Sequence, residues 1–357
     1  MKILFLTDNL DYRGGWGRYA SDLVGGIAEL GYQTIVLTKQ RIPNKNYLKK
    51  IFNILGYILR IRKLSKDCDI IHALDGYPFG VLATIANIGR RKKLVITGQG
   101  TYAIEPFYHR FSAGVLKWAY KRANGVIAIS DYTKLRILDK VSSLKIEVIE
   151  HGINLSKFFR PRVNSPDRYI LGVGALKSRK GYHISIPAFA LAKKKIPDLR
   201  YKIIGNQNDA IYFNSLKKIV TDSGVENDVV FIENISDKEL GDLYAGAQLF
   251  ILTSVNDNNN FEGFGLVFLE AAAAGLPVIG TKRNGISSAV REGYNGFLVE
   301  QGDINKTADA IIKLIGDERL NEKFSLCSYN WAKEHTIKNM AKRYLNFYQN
   351  LFSKLST

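Results

Sequence analysis

Two glutamates in one short stretch are the residues of this chain best placed to do chemistry. Glu262 and Glu270 are separated by seven residues in EGFGLVFLE, and Gly263 and Gly265 lie where the apolar run between them begins. Because glycine has no side chain, backbone N–H groups can approach a ligand closely there, and a helix dipole favours an anion at that end. Eight helical residues put the two carboxylates roughly 12 Å apart along the axis. The spacing predicts a site for a phosphate with a sugar on either side, as in a nucleotide sugar.

The elements around the two acids form a strand, a polar loop, a helix and a second strand. Residues 249–253 have a β-like pattern, residues 256–260 are polar, and residues 277–279 are apolar again. A second interpretation stays open at this point. A buried helix that ends at a C-cap glycine such as Gly275 has the same pattern, with Glu262 as a solvated loop residue and Glu270 as a surface charge.

The stretch EGFGLVFLEAAAAGLPVIG resembles the signature of retaining glycosyltransferases of the GT-B fold, in particular glycosyltransferase family 4. Similar segments run through most of the chain: 1–8 with Gly14 and Gly15, 126–130, 149–154, 172–181 and 292–303. The resemblance implies an α/β protein of two Rossmann-like domains, with parallel sheets that face each other across a cleft. The first domain takes the acceptor and the second takes the donor.

The resemblance also implies a role for each matching residue. Glu262 contacts the donor sugar near its reacting carbon, and Glu270 holds the ribose hydroxyls. The implied donor-binding residues are Gly14, Gly15, Gly174, Phe264, Gly265, Leu266 and Glu270, and Gln99 lies at a position near the transferred sugar. Tyr102 and His72 are further candidates for acceptor or sugar contacts. Many members of the family have a histidine at the position of Gln99, and glutamine cannot titrate. His72 also fits a strand-end histidine that bonds backbone.

The leaving diphosphate needs positive charge, because negative charge grows on it as the sugar–phosphate bond breaks. Arg179 and Lys180 follow a strand, as such cations would, and complete the implied catalytic set with Glu262; a solvated loop pair is the alternative. The family commonly has an arginine where this chain has Ala175. With one acid near the reacting carbon, double displacement is poorly supported. The family implies a same-face substitution assisted by the leaving phosphate. Arg179, Lys180 and the helix N–H groups would supply the positive potential, so we expect no metal and no other cofactor.

Composition indicates a two-domain globular protein. The 357 residues are 46% hydrophobic and 24% charged, and no apolar run reaches the 18 residues of a membrane span. The apolar run of the first strand ends at Asp8, which makes it too short for the apolar region of a signal peptide. Cys68 and Cys327 lack metal-ligand spacing, which favours free thiols in a reducing cytoplasm.

Strands and helices alternate through both halves, which predicts two parallel sheets. We expect an N-terminal domain at 1–160 and a C-terminal domain at 166–335, joined by a Pro-containing polar linker at 159–166. The final amphipathic helix, about 336–357, is expected to pack back on the first domain, as in other GT-B proteins.

The net charge of +18 lies mostly in the first half of the chain: residues 1–165 hold 27 Lys/Arg and 12 Asp/Glu, against 24 and 21 in the remainder. Residues 39–66 contain nine Lys/Arg and no acid, with apolar residues at helical spacing. A basic amphipathic helix fits an anionic lipid surface, although such a stripe more often packs on a sheet. We expect a cytoplasmic enzyme attached peripherally to the inner face of the membrane.

The sequence therefore predicts a retaining hexosyltransferase of cell-surface glycan synthesis, with a nucleotide-diphosphate sugar as donor and a lipid-linked or polysaccharide acceptor. Another GT-B enzyme, a nucleotide-sugar epimerase or a glycan phosphorylase, is the nearer alternative. A non-enzymatic binder of anionic polymers is the more distant one. We expect no nucleic-acid partner, because the basic runs lack a base-stacking platform.

Overall fold

The computed structural model describes residues 1–12, 14–39, 47–159 and 167–353, and within helix Tyr47–Leu64 it describes side chains from residue 53 onward. The predicted linker falls largely on residues 160–166, outside the described residues. The chain forms two compact units. The first contains Met1–Gly152 and the chain from Ile337 onward, and the second contains Ile153–Thr336.

The first unit is a six-stranded parallel sheet of order β2-β1-β3-β4-β5-β6 with helices between the strands. Its strands are β1 Lys2–Thr7, β2 Gln33–Thr38, β3 Ile70–Ala73, β4 Lys93–Gly98, β5 Gly125–Ala128 and β6 Ile146–Val148. Its helices are α1 Gly15–Glu29, α2 Tyr47–Leu64, α3 Val81–Ala86, α4 Arg110–Arg122, α5 Asp131–Leu138 and, from the end of the chain, α14 Ile337–Ser353.

The core of the first unit explains why its strands are apolar throughout. Residues 3–7 of β1 are all buried, since helices cover both faces of a parallel sheet. Helix α14 packs against α1, and its buried residues recur three and four positions apart: Met340, Ala341, Tyr344, Leu345 and Tyr348. The Oη atoms of Tyr19 and Tyr344 lie 2.5 Å apart in this core.

The second unit is another six-stranded parallel sheet, of order β12-β11-β10-β7-β8-β9. Its strands are β7 Tyr169–Val173, β8 Arg200–Ile204, β9 Val229–Ile232, β10 Leu249–Ile251, β11 Val278–Thr281 and β12 Gly296–Val299. Its helices are α6 Leu155–Phe158, α7 Tyr182–Lys193, α8 Ala210–Asp222, α9 Asp237–Gly246, α10 Leu266–Ala273, α11 Ile286–Ala289, α12 Ile304–Gly316 and α13 Glu318–Glu334.

Each sheet has one point where the strand order reverses. In the first unit the chain moves from β1 outward to β2 and then crosses to β3, so the reversal lies between β1 and β3. In the second unit it lies between β7 and β10. Open α/β sheets bind ligands outside the carboxyl ends of the strands at such points. The predicted α/β fold with two parallel sheets is confirmed, and each sheet offers one such edge.

Within the described ranges, no helix is both long enough and apolar enough to cross a membrane.

Candidate functional site

The Glu262 carboxylate is the centre of a charged cluster at the carboxyl edge of the second sheet. Its Oε2 accepts hydrogen bonds from Arg179 Nη1 at 3.0 Å and from Lys180 Nζ at 2.5 Å, with Ser254 Oγ at 3.5 Å. The Glu262 and Lys180 side chains are each only 11% exposed. Glu262 is therefore not a solvated loop residue, and Lys180 is buried beside it. Arg179 is half-buried, at 33% exposure, and bonds the same carboxylate oxygen.

Two loops at the reversal of strand order bring these charges together. Arg179 and Lys180 follow β7, whereas Glu262 lies in the loop after β10, and β7 and β10 are paired neighbours. The backbone N–H of Val255 donates to the carbonyl of Arg179 at 2.9 Å, which ties the two loops to each other. Gly174 belongs to the same cluster, because a Cβ atom built on it would lie 3.5 Å from Lys180 Cε.

The loop after β11 supports the Glu262 backbone from the other side. Gly285 N–H donates to the Glu262 carbonyl at 2.7 Å, and a Cβ atom on Gly285 would lie 2.0 Å from the carbonyl oxygen of Gly263. Only glycine allows so close an approach. Asn284 is 1% exposed, and its Nδ2 donates to Thr281 Oγ1 at 2.9 Å and to the Ser254 carbonyl at 3.3 Å.

Helix α10 begins after a glycine in a left-handed conformation. Gly265 is its N-cap residue and has φ +86°, a left-handed conformation that side chains rarely adopt. Leu266 is the first helical residue, and Phe264 is 2% exposed. The first turn carries no acidic residue. The amide-rich helix start therefore follows Glu262 directly in the chain, with a positive dipole end that suits a phosphate.

Glu270 lies inside the second unit rather than on its surface. The residue is 2% exposed, and its Oε2 accepts a hydrogen bond from Tyr244 Oη at 3.0 Å. The alternative of a surface charge is therefore excluded. Its expected grip on the ribose hydroxyls stays a prediction.

Electrostatics keep the Glu262 cluster ionised. Burial disfavours a charged Glu262, but the charges and hydrogen bonds of Lys180 and Arg179 outweigh burial and lower the Glu262 pKa to about 2. Burial also lowers the pKa of Lys180, and the Glu262 carboxylate opposes that effect. A buried carboxylate with two cations on one oxygen can orient a polar ligand without accepting a proton near neutral pH.

The glycine turn at the start of α1 in the first unit has free space around its two glycines. Gly14 is the N-cap of α1 and Gly15 is its first residue, both are exposed, and a Cβ atom on either would meet nothing within 4 Å. Their expected contact with the donor diphosphate stays a prediction.

Gln99 and Tyr102 lie together after β4. Gln99 is 6% exposed, and its side-chain Nε2 has no hydrogen-bond partner. The backbone carbonyl of Gln99 accepts a hydrogen bond from the backbone N–H of Tyr102 at 3.1 Å. Tyr102 is 58% exposed, and its ring meets Trp16 edge-on with 4.8 Å between centroids. The structure thus brings the start of α1 and the segment after β4 together through an aromatic pair that the sequence did not indicate.

His72 does not fit the expected sugar contact. The residue is fully buried, with Nδ1 2.7 Å from Tyr348 Oη and Nε2 2.8 Å from Thr97 Oγ1. Burial lowers its pKa to about 3. Both ring nitrogens are occupied, so His72 is a core residue that joins β3 and β4 to α14. Its partners are side chains rather than the backbone that the sequence suggested as the alternative.

Three residues that support the Glu262 loop were not predicted from the sequence: Ser254, Thr281 and Asn284. Each follows or ends a buried strand, and polar residues at that position were the available signal. Their contacts with the Glu262 loop depend on which strands are neighbours, and spacing along the chain does not show this.

Comparison with protein-family models gives two matches that together span most of the chain. The model for Glycosyltransferase Family 4 matches residues 13–157, and the model for Glycosyl transferases group 1 matches residues 155–331. The boundary between them lies close to the boundary between the two structural units.

Curated relatives belong to the same kind of enzyme. An uncharacterized glycosyltransferase of Methanocaldococcus jannaschii is 25% identical over 354 residues, covering 93% of this chain and 95% of that protein. A GDP-mannose-dependent alpha-(1-6)-phosphatidylinositol monomannoside mannosyltransferase of Mycolicibacterium smegmatis is 26% identical over 286 residues, covering 74% of this chain and 73% of that protein.

Solved structures share the fold along the whole chain. Anabaena HepE in complex with UDP superposes with a TM-score of 0.80 at 20% identity, covering 98% of this chain and 100% of that one. Sucrose-phosphate synthase from Thermosynechococcus elongatus superposes with a TM-score of 0.78 at 18% identity, covering 99% of this chain and 100% of that one. Two parallel-sheet units, the two family models and these relatives agree, and the chain belongs to the GT-B glycosyltransferases of group 1 and family 4.

Proposed function

We propose that this enzyme transfers a hexose-type sugar from a nucleoside-diphosphate donor to a lipid-linked or polysaccharide acceptor in cell-surface glycan synthesis, with retention of configuration. The observation that carries the proposal is the contact of Arg179 and Lys180 with Glu262 beside the start of helix α10. Cations and helix amides suit a leaving diphosphate, and a carboxylate suits sugar hydroxyls.

Retention is supported by the number of acids in the cluster. In the part of the chain that the structure describes, Glu262 is the one carboxylate paired with Arg179 and Lys180. A double displacement on two nearby carboxylates is therefore not supported, and we favour same-face substitution with the leaving phosphate as the proton acceptor. The positive potential of Arg179, Lys180 and the helix start supports catalysis without a metal.

The donor class is supported by what related proteins bind. Anabaena HepE has been solved with UDP and with UDP-glucose, and the mycobacterial relative is named for its use of GDP-mannose. Because these donors differ in base and sugar, both uridine and guanosine donors belong in the first screen.

The direct test measures release of UDP or GDP from a panel of nucleotide sugars, with and without lipid-linked acceptors and with and without a chelator. We expect Glu262→Ala to lower transfer by about 100-fold or more, since one oriented electrostatic group is worth that much. The matched control is Glu322→Ala, an exposed glutamate on α13. Full activity of Glu262→Ala would contradict the proposal, as would equal losses in both variants.

Peripheral attachment to the cytoplasmic face of a membrane is supported by helix α2. Its sequence, YLKKIFNILGYILRIRKL, contains no acid, and Ile54, Leu55 and Leu59 are 42%, 51% and 64% exposed. Arg60 and Lys63 on the same helix are exposed as well. Exposed aliphatic side chains beside unopposed cations match an anionic lipid surface.

Sedimentation with lipid vesicles tests this attachment. We expect binding to vesicles that contain anionic lipid, weaker binding as salt rises, and a clear loss in the double variant Leu55→Ser, Leu59→Ser. Ile211→Ser is the control, because Ile211 is 87% exposed but lies in the second unit. Binding that ignores salt, or that the α2 variant retains in full, would contradict attachment through this helix.

A further inference from the structure

The first unit contains a cavity to which no role has been given above. It has a volume of about 430 Å³ and is lined by Asp8, Asn9, Leu10, Asp11, Thr38 and Lys39. That volume lies within the range of small-molecule sites in proteins, roughly 300–1,000 Å³.

The cavity lies where an open α/β sheet offers a binding site. Residues 8–11 directly follow β1, and Thr38 and Lys39 lie at the end of β2, which pairs with β1. Strand β1 also borders the reversal of strand order, since its other neighbour is β3. Ligands of open α/β sheets bind outside the carboxyl ends of the strands, and this cavity lies at the ends of β1 and β2, next to the reversal between β1 and β3 rather than at it.

The loop that lines the cavity is held in place by its own hydrogen bonds. Asn9 Nδ2 donates to Asp8 Oδ2 at 2.9 Å, and Asn9 Oδ1 accepts from the Asp11 N–H at 2.9 Å. Ser21 Oγ of helix α1 donates to the Leu10 carbonyl at 2.9 Å. The Asp8 carboxylate and the backbone of residues 9–11 are therefore oriented before any ligand arrives, which lowers the ordering cost of binding.

The lining suits hydroxyl groups rather than anions. A hydroxyl donates one hydrogen bond and accepts two, so it can use both the carboxylates and the ammonium of the cavity. Lys39 Nζ lies 3.7 Å from Asp8 Oδ1, and the second carboxylate, Asp11, is exposed. A phosphate only accepts hydrogen bonds and meets two carboxylates here, although residues 1–165 carry 27 Lys/Arg against 12 Asp/Glu.

We propose that this cavity binds an uncharged sugar residue of the acceptor through Asp8, Asp11 and Lys39, and that it discriminates against phosphorylated or carboxylated sugars. The proposal rests on the proposed function, because only a transferase needs an acceptor sugar. It adds that the acceptor's recognised part is neutral, whatever anionic group the rest of the acceptor carries.

Saturation-transfer NMR on the full chain without donor tests the cavity. The probes are the methyl glycosides of glucose, mannose and galactose, with hexose 6-phosphate and hexuronate as charged analogues. We expect at least one neutral glycoside to saturate in the millimolar range, and the matching charged analogue to bind about tenfold more weakly.

Isosteric variants locate the binding. Asp11→Asn and Asp8→Asn should each lower the affinity for the neutral glycoside about fivefold, since a hydrogen bond to a charged group is replaced by one to a neutral group. The control is Asp67→Asn, an exposed aspartate that precedes β3 and removes the same charge. Circular dichroism establishes that each variant is folded.

Four results would overturn the proposal: no saturable glycoside binding, equal or tighter binding of the charged analogue, an equal effect of Asp67→Asn, or loss in Glu262→Gln without loss in Asp11→Asn. The last result would place the sugar in the second unit. Release of UDP or GDP by the wild-type chain is measured separately, so failure of the cavity and failure of the proposed transferase are distinguishable.

Discussion

Lys180 Nζ lies 2.5 Å from Glu262 Oε2, so a cation expected at the donor diphosphate and the acid expected at the donor sugar contact each other. Arg179 Nη1 shares the same oxygen at 3.0 Å. The two cations that suit a diphosphate are thus already engaged by an internal carboxylate. A bound diphosphate would share these cations or exchange with the carboxylate.

The first prediction concerns binding of the nucleoside diphosphate without its sugar. Replacing Glu262 by Gln removes the competing charge but keeps the shape of the side chain, so affinity for UDP or GDP should rise about fivefold while transfer is lost. Isothermal titration calorimetry measures the affinity, with Glu322→Gln as the control. A fall in affinity would show that Glu262 helps Arg179 and Lys180 to hold the diphosphate instead.

The second prediction concerns stability in acid. The Glu262 pKa of about 2 lies below its usual 4.5, so the folded protein binds fewer protons there than the unfolded chain does. The resulting stabilisation is present above pH 4.5 and is lost as pH falls towards 2. Denaturant unfolding should show the free energy of unfolding falling less steeply in Glu262→Gln than in wild type over that range. If the free energy of unfolding fell equally with pH in wild type and in Glu262→Gln, Glu262 would not be held as an ion pair in solution.

The third prediction concerns His72. The variant His72→Phe leaves the hydroxyls of Tyr348 and Thr97 without their shared partner and should cost about 2–4 kcal/mol of stability. Because the folded His72 pKa is about 3 against a usual 6.5, wild-type stability should also decline as pH falls below 6.5. The variant should show a smaller decline between pH 6.5 and 4.5, since burial also lowers the pKa of His183 and that contribution remains. Unfolding curves at several pH values measure both effects. Loss of sugar binding at unchanged stability would instead favour the sugar contact predicted from the sequence.

The fourth prediction concerns the support of the Glu262 loop. A methyl group at position 285 would overlap the Gly263 carbonyl, so Gly285→Ala must displace the backbone beside Glu262. We expect transfer to fall at least about tenfold, which corresponds to roughly 1.4 kcal/mol in the barrier. Gly316→Ala is the control, since a Cβ atom there meets nothing within 4 Å. Equal activity of the two variants would contradict a positioning role for this loop.

The sequence determined much of the architecture because it is encoded locally. Buried strands are apolar runs and the intervening helices carry a 3.6-residue period, so eleven of the twelve strands in the described ranges and the start of α10 were predictable. Strand β12, Gly296–Val299, is the strand that was not predicted. The double-acid spacing likewise marked Glu262 and Glu270 without any structure.

Only the tertiary structure decided which side chains meet. Arg179 and Lys180 are 83 and 82 residues from Glu262 in the chain and touch it because β7 and β10 are neighbours. His72 was a candidate for a sugar contact, and its Nδ1 is instead bonded to the hydroxyl of Tyr348, 276 residues away. Local pattern specifies elements, whereas strand order and the return of α14 specify contacts, because both arise from burial of apolar surface over the whole chain.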